Sequence, residues 1–181
     1  MSTELAAFLS QHSYRAGTFR LASGRESDFY VDVKRSIFRA DGAQLIGEEL
    51  CNRLQAHGIK LVGGMAVGAI PLVTASQVAA ATRSYDLDGF FVRKDVKDHG
   101  TASRIDGRFN PDYPVALLED VVTTGGSTLT AVDAVEEAGG HVAVIITVVD
   151  REENDGMAKL RSRCPIVEAL ATRSQIVAAS A

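Results

Sequence analysis

Residues 115–128 read VALLEDVVTTGGST, an apolar run that leads into two adjacent acids and a loop rich in threonine and glycine. An apolar run that ends at a glycine turn is typical of a buried parallel strand. The apolar residues that follow keep the spacing of one helical face: Leu129, Val132, Val135 and Ala138. The stretch therefore predicts a strand, a tight loop and a helix.

The predicted loop suits a phosphate group, because free N–H groups at a helix start lie beside threonine and serine hydroxyls. Glu119 and Asp120 come near the carboxyl end of the strand, where open α/β sheets bind ligands. They can bind sugar hydroxyls or a hydrated divalent cation. No lysine follows the glycines and no G-x-G-x-x-G follows a strand, which excludes a P-loop and a Rossmann site. An ordinary strand–turn–helix with solvated acids remains the alternative.

The composition is that of a globular protein. The chain has 181 residues, of which 46% are apolar, enough for one domain with a substantial core. Its formal charge of −4 argues against a general nucleic-acid binder, which carries a basic face. Two cysteines form no disulfide framework, and the acidic start lacks the pattern of a signal peptide. The cysteine usage makes a reducing cytoplasm the expected setting. No segment offers about 18 uninterrupted apolar residues, so no membrane span is expected.

Strands alternate with helices along the chain, which indicates an α/β fold with a mainly parallel central sheet flanked by helices. Residues 17–33 predict two short strands around a turn. We expect residues 1–181 to form a single domain, with a core at about 41–165 and a hood from about 1–40 plus the C-terminal end. The other predicted elements are helices near 5–9, over 41–57 with Asp41 as N-cap, over 70–81 and over 152–162, and strands over 59–62, 89–93, 141–149 and 166–170.

Residues 95–113 predict a long flexible loop, because they combine dense charge with two glycines and few apolar side chains. Three cations and one imidazole fall within seven residues at its start. Such a segment can close over a polyanion and exclude water. The alternative is a solvated surface excursion. The four residues are Arg93, Lys94, Lys97 and His99.

Four segments together resemble the type I phosphoribosyltransferases, and within them the orotate phosphoribosyltransferases. The first is the stretch at 115–128. FRLASGRESDFYVDVKR (19–35) is similar to the N-terminal substrate segment of that family, and FVRKDVKDHGTASRIDG (91–107) to its mobile catalytic loop. VVDREE (148–153) resembles the strand end that carries an orotate-binding arginine. The joint occurrence is much more specific than any one motif.

The resemblance implies a type I phosphoribosyltransferase fold and a reaction. The 5-phosphoribosyl group passes from phosphoribosyl pyrophosphate (PRPP) to orotate, which gives orotidine 5′-monophosphate and pyrophosphate in de novo pyrimidine (UMP) biosynthesis. It implies Mg²⁺ held through PRPP and water near Glu119 and Asp120, with no direct protein ligand. It also implies a homodimer in which the loop at 93–107 reaches the neighbouring site. No nucleic-acid or membrane partner is expected.

The resemblance also assigns roles in PRPP binding and catalysis. Lys97, Glu119 and Asp120 are the expected catalytic residues, with Lys97 the most important for rate. A surface histidine without a role remains the alternative for His99. The residues expected to bind PRPP are Arg93, Lys94, Lys97, His99, Glu119, Asp120, Val121, Val122, Thr123, Thr124, Gly125, Gly126 and Ser127.

Orotate, a flat anion, is expected to bind four residues. Arg151 can offer a planar fork to its carboxylate. The alternative for Arg151 is a surface arginine paired with one of the two glutamates that follow it. Thr123 matches a residue that also touches orotate, and Phe29 and Tyr30 match an aromatic pair in the base pocket. By strand period one of these rings faces the core, so at most one contacts substrate.

Two departures and two rival functions stay open. Ala22 and Gly68 stand where some relatives have lysine, which puts two charge contacts in doubt and suggests more reliance on the loop cations. A salvage phosphoribosyltransferase for another base predicts an apolar or aromatic purine pocket after the strand at 141–149, in place of Arg151. A non-catalytic regulator that senses PRPP or binds RNA predicts a basic surface and a degraded loop.

Overall fold

A computed structural model of the protein describes residues 3–20, 26–94 and 104–180. Ala22, Lys97 and His99 lie outside these ranges. The helices are α1 Thr3–His12, α2 Lys34–Ile37, α3 Ala40–Ala56, α4 Ala69–Ala81, α5 Gly126–Glu137, α6 Gly156–Arg161 and α7 Arg173–Ala178. The strands are β1 Tyr14–Arg20, β2 Glu26–Val31, β3 Leu61–Gly63, β4 Asp88–Val92, β5 Ile105–Gly107, β6 Pro114–Val122, β7 His141–Asp150 and β8 Ile166–Thr172.

The described ranges fold around a six-stranded sheet in the order β5-β4-β3-β6-β7-β8. The pairings are parallel except for the one between β4 and β5. This confirms the predicted α/β fold with a mainly parallel sheet. β6 and β7 run side by side from Pro114 opposite His141 to Val122 opposite Asp150. Their carboxyl ends are therefore level, which brings the segments that follow them together.

Helices cover both faces of the sheet. Successive side chains of β6 point to opposite faces, so they pack against different helices. Ala116 and Leu118 belong to the core cluster that includes residues of α1, α3, α4 and α7. Val115 and Leu117 belong to the second cluster, which includes residues of α5 and α6. The same alternation continues into the two acids of β6, so it fixes the direction in which each of them points.

α3 and α4 pack closely against each other on one face. A Cβ atom at Gly47 of α3 would lie 2.6 Å from the carbonyl oxygen of Ala75 in α4, so only glycine allows this approach. α3 buries Ile46, Leu50 and Leu54 along one stripe, as its sequence spacing predicts. Within the described ranges, no helix is long and apolar enough to cross a membrane.

The two ends of the chain lie together. α1 contacts α7 and β8, and the hairpin of β1 and β2 follows α1 directly. This hairpin confirms the two strands predicted within 17–33. β8, which begins just after the predicted end of the core at about residue 165, is an edge strand of the main sheet. The division into a core and a hood stays a prediction.

The N-cap prediction for α3 is wrong. Arg39, with extended backbone, occupies the N-cap, and Asp41 lies in the first helical turn. There the Asp41 carboxylate pairs with the Arg39 guanidinium at 2.8 Å and accepts the N–H of Gly42. An acid in the first turn also interacts favourably with the helix dipole.

Two further boundaries differ from the sequence prediction. The helix predicted over 152–162 begins only at Gly156, because Glu152, Asn154 and Asp155 have positive φ angles and form a turn. The loop predicted over 95–113 contains the short strand β5. Ile105 of β5 lies opposite Val92, so pairing with β4 supplies an order that the charged local sequence does not indicate.

Candidate active site

The loop between β6 and α5 encloses a small polar cavity of about 130 Å³. Gly125 caps α5 with a left-handed φ of 77°, and a Cβ atom there would lie 3.1 Å from the carbonyl oxygen of Gly156. Glycine is therefore needed for the turn that aims the first N–H groups of α5 at the cavity. These groups and the helix dipole favour an anion. The lining residues are Glu119, Val121, Val122, Thr123, Thr124, Gly125, Gly126, Ser127 and Thr128.

Glu119 lies on the α5 side of β6 and is almost fully buried, with 7% of its surface exposed. Thr128 donates a hydrogen bond of 2.7 Å from its hydroxyl to Oε2 of Glu119. Burial raises the pKa of Glu119 to about 8, and the neighbouring Asp120 adds to this rise, although the bond from Thr128 opposes it. Burial thus favours the protonated carboxylic acid, which can donate as well as accept a hydrogen bond.

Asp120 points to the opposite face, towards α2 and α4. Lys34 Nζ donates to its Oδ2 at 2.7 Å, and the N–H of Val121 donates to Oδ1 at 2.9 Å. A Cβ atom at Gly68 would lie 2.9 Å from Cγ of Asp120, so glycine leaves room for the carboxylate. Burial of the Lys34 ammonium lowers its pKa. The hydrogen bond from Lys34 to Asp120 and the attraction between their charges outweigh this, so the pKa of Lys34 is raised.

The two acids are therefore neighbours in sequence but not in environment. Glu119 has a raised pKa and faces the polar cavity, while Asp120 is paired with an ammonium on the other face of the strand. Strand period explains the separation. The expectation that both acids face the same ribose hydroxyls is neither confirmed nor contradicted by these positions.

Arg151 lies directly after β7, beside the end of β6. Its N–H donates to the carbonyl oxygen of Val122 at 3.1 Å, which places it next to Thr123 and the loop between β6 and α5. It is buried, with 6% of its surface exposed, and its Nη2 lies 3.2 Å from Oε2 of Glu153. The alternative of a surface arginine paired with a glutamate is thus right about the partner and wrong about the surface.

The Arg151 guanidinium stacks on Phe29, with its Cζ 4.4 Å from the ring centre. Arg173, at the start of α7, places its Cζ 4.0 Å from the same ring centre. Phe29 is buried and Tyr30 is 40% exposed, which agrees with the prediction that one of the two rings faces the core. Sequence reasoning missed Arg173, because only the tertiary fold brings it to Phe29.

The basic loop is the segment at 93–107, and its first described residues follow the end of β4. The Arg93 guanidinium forms an ion pair with Asp106. The backbone carbonyl oxygen of Arg93 accepts a hydrogen bond of 3.2 Å from Nε of Arg104. Lys94 is exposed. Lys97 and His99 lie outside the described residues, so their roles in binding and catalysis stay predictions.

Sequence reasoning also missed Lys34 and Thr128. Thr128 lies in the first turn of α5, and the position of its hydroxyl over Glu119 follows from helical geometry once the start of α5 is known. Lys34 is part of the segment at 19–35, but its contact with Asp120 spans 86 positions. No local pattern indicates such a pair.

The described residues do not form a metal cage. Within those ranges, no group of three histidine, cysteine, aspartate or glutamate side chains lies close enough to hold an ion. Mg²⁺ is usually bound through one or two carboxylates together with water and substrate phosphates, so an ion that arrives with a phosphorylated substrate needs no cage of protein ligands.

Comparison with known proteins identifies the family. A scan against models of protein families found no match. The chain is 40% identical to the orotate phosphoribosyltransferase of Sorangium cellulosum (strain So ce56) over 176 residues, which cover 96% of this chain and 91% of the relative.

Solved structures agree. The Mycobacterium tuberculosis H37Rv orotate phosphoribosyltransferase in complex with Fe(III) dicitrate matches with a TM-score of 0.83 and 33% identity, over 96% of this chain and 97% of that chain. The same enzyme in complex with PRPP matches with a TM-score of 0.78 and 30% identity, over 97% and 98%. The fold is accordingly the type I phosphoribosyltransferase fold. Because the similarity extends over nearly the full length of both partners, the chain belongs to the orotate phosphoribosyltransferase family.

Proposed function

We propose that the protein transfers the 5-phosphoribosyl group of PRPP to a ring nitrogen of orotate. The products are orotidine 5′-monophosphate and pyrophosphate. One observation carries this proposal: an anion-binding loop and a buried arginine lie side by side at the carboxyl ends of β6 and β7. The first suits the phosphate of the sugar donor, and the second suits the acidic base.

The sugar donor is proposed to bind along the β6–α5 loop. The 5′-phosphate accepts hydrogen bonds from main-chain N–H groups and hydroxyls of residues 123–127. Glu119, as a neutral acid, hydrogen-bonds a ribose hydroxyl without adding charge. Asp120 accepts from ribose hydroxyls as a carboxylate. The bond from C1 to the pyrophosphate oxygen breaks with its electron pair leaving on the pyrophosphate, while the orotate ring nitrogen forms the new bond to C1 and releases its proton to solvent. Asp120 stabilises the positive charge that develops on the sugar.

Orotate is proposed to bind beside Arg151. The Arg151 guanidinium offers two parallel N–H donors to the orotate carboxylate. Stacking on the Phe29 ring fixes the plane of the guanidinium. Thr123 contributes from the end of β6, and the exposed ring of Tyr30 is the one free to border the base. A buried arginine at this position favours an acidic pyrimidine over the purine of a salvage enzyme.

The departing pyrophosphate is proposed to bind the basic loop. Arg93, Lys94, Lys97 and His99 neutralise it and exclude water when the loop closes. Mg²⁺ enters with PRPP and is held by substrate oxygens and water. Both cysteines are free thiols, which suits the reducing cytoplasm in which we place the reaction.

A homodimer is the proposed assembly. Phe38 is 73% exposed, and Val67 and Val78 are also exposed, beside an apolar groove of about 730 Å³ between α3 and α4. Exposed apolar surface of this kind marks an interaction site. A second copy of the chain is proposed to cover it, which would bring each basic loop to the neighbouring site.

Turnover of orotate tests the function. The protein is incubated with Mg²⁺ and PRPP, and the loss of orotate is followed beside parallel reactions with uracil, hypoxanthine and adenine. Orotate alone should be consumed. Consumption of a purine but not orotate would identify a salvage enzyme, while PRPP binding without turnover of any base would identify a regulator.

A further inference from the structure

Lys34 connects the N-terminal hairpin to the site. It begins α2, three residues after β2 ends. Its Nζ lies 2.7 Å from Oδ2 of Asp120 and 3.7 Å from Oδ1 of Asp32. The Lys34 N–H donates to the same Asp32 oxygen at 3.1 Å, which fixes the start of the side chain.

The ammonium stands at the open side of the site. Its side chain is 49% exposed, while that of Asp120 is only 13% exposed. Asp120 also packs against Gly68, the residue that caps α4, where a Cβ atom would lie 2.9 Å from its Cγ. An ammonium has three N–H donors, and its bond to Asp120 uses one of them.

The layout around β6 determines which part of the sugar donor Lys34 can reach. The cavity proposed to bind the 5′-phosphate lies on the α5 side of the strand, with Glu119. Asp120 and Lys34 lie on the other side. With the ribose between the two acids, the part of PRPP left for the Lys34 side is the pyrophosphate at C1. The Lys34 ammonium, next to the Asp120 carboxylate that is proposed to bind ribose hydroxyls, suits this anionic pyrophosphate.

We propose that Lys34 is a further substrate-positioning residue, which holds the Asp120 carboxylate in the free protein and donates to a pyrophosphate oxygen once PRPP binds. This rests on the proposed function of the site. Lys34 thus supplies a cation beside Asp120, on a side chain that is 49% exposed and within reach of a bound anion. It lies outside the basic loop and does not depend on closure of that loop.

Binding measurements on Lys34→Met and Lys34→Arg test the proposal. Lys60→Met is the matched control, since Lys60 is exposed and precedes β3 at the opposite end of the sheet. Isothermal titration calorimetry at fixed Mg²⁺ compares PRPP, pyrophosphate alone and ribose 5-phosphate. Lys34→Met should weaken binding of PRPP and pyrophosphate by about tenfold to a hundredfold, the usual effect of losing a bond to a charged group. Ribose 5-phosphate should bind nearly as before, and Lys34→Arg should recover most of the loss.

Three outcomes would overturn the proposal. If Lys34→Met binds PRPP like Lys60→Met, Lys34 makes no contact with substrate. If ribose 5-phosphate loses as much affinity as pyrophosphate, Lys34 serves only to hold Asp120. If the wild-type protein binds PRPP in none of these titrations, the proposed function fails and the inference fails with it. Thermal unfolding of each variant, with Lys34→Gln as a second neutral replacement, separates loss of binding from loss of fold.

Discussion

At the scale of single residues, two adjacent acids acquire different chemistry from one structural fact, the alternation of β6. Glu119 is buried on the α5 side of the strand, where its pKa is raised to about 8, whereas Asp120 turns towards an ammonium. The sequence Glu-Asp carries no hint of this difference. It follows from which helix covers each face, since burial without a cation favours the neutral acid.

The raised pKa of Glu119 predicts a pH-dependent stability. The folded protein binds one more proton than the unfolded chain between the ordinary value of 4.5 and about 8. The free energy of unfolding should therefore fall as pH rises through this window, by at most about 1.4 kcal/mol per pH unit for one proton. Glu119→Gln removes the titration while keeping an acceptor for Thr128, so its stability should vary less with pH.

Urea unfolding at several values from pH 5 to pH 9 measures this slope. Glu137→Gln is the control, because Glu137 is exposed on the same helix that Glu119 faces. Its profile should follow that of the wild type. Equal slopes for Glu119→Gln and the wild type would show that Glu119 is ionised in the folded protein.

Arg151 should control affinity for the base more than affinity for the sugar donor. Lysine keeps the charge but loses the planar fork, so Arg151→Lys should lower kcat/KM for orotate by about tenfold to a hundredfold. The KM for PRPP should change little. Arg163→Lys is the control, because Arg163 pairs with Asp133 and Glu136 on the surface. Steady-state kinetics with each substrate varied in turn decide the matter, and an equal loss for both substrates would argue for a general structural role.

At the scale of elements, the predictable parts are those whose local sequence suffices. β6 and β7 are long apolar runs, and α5 follows β6 with a clear helical period, so the loop between β6 and α5 could be located from sequence. β5 could not, because three residues of a charged segment become a strand only by pairing with β4. The late start of α6 depends on three positive φ angles that neither the residue types nor their period require.

The turn that starts α5 allows a matched pair of glycine variants. Gly125→Ala places a Cβ at φ 77° and 3.1 Å from a carbonyl oxygen, so we expect a loss of roughly 1–2 kcal/mol in the free energy of unfolding. Gly126→Ala meets nothing closer than 3.6 Å and lies within the helix, so its stability should stay within about 0.5 kcal/mol of the wild type or rise. Urea unfolding of both proteins compares them. Equal destabilisation by the two alanines would mean that the left-handed turn is not required.

At the scale of the whole molecule, site and assembly are linked by the basic loop. The apolar groove beside Phe38 lies between α3 and α4, and the basic loop leaves the end of β4, next to β3. If a second copy covers this groove, Lys97 of one subunit can serve the Asp120 of the other. Sequence could suggest the dimer only through the family resemblance, because the exposed Phe38 becomes a surface feature only once the fold is known.

Mixing two inactive variants tests the shared site. Lys97→Ala damages the loop and Asp120→Asn damages the core, so a dimer of one of each has one site with both residues intact. Random exchange should therefore restore about one quarter of the wild-type activity, since half of the dimers are mixed and each has one good site. Activity is measured after the two proteins are mixed, with exchange followed by mass spectrometry of differently tagged subunits.

Phe38→Asp, introduced into both variants, provides the control for assembly. A charge on the most exposed apolar residue of the groove should keep the subunits apart, as seen by sedimentation velocity, and so prevent recovery on mixing. Tyr113→Asp, at an exposed aromatic residue outside the groove, should leave both assembly and recovery intact. Mixed dimers without recovered activity would show that Lys97 acts within its own subunit. Recovery by monomeric Phe38→Asp proteins would show that the groove is not the surface through which the sites are shared.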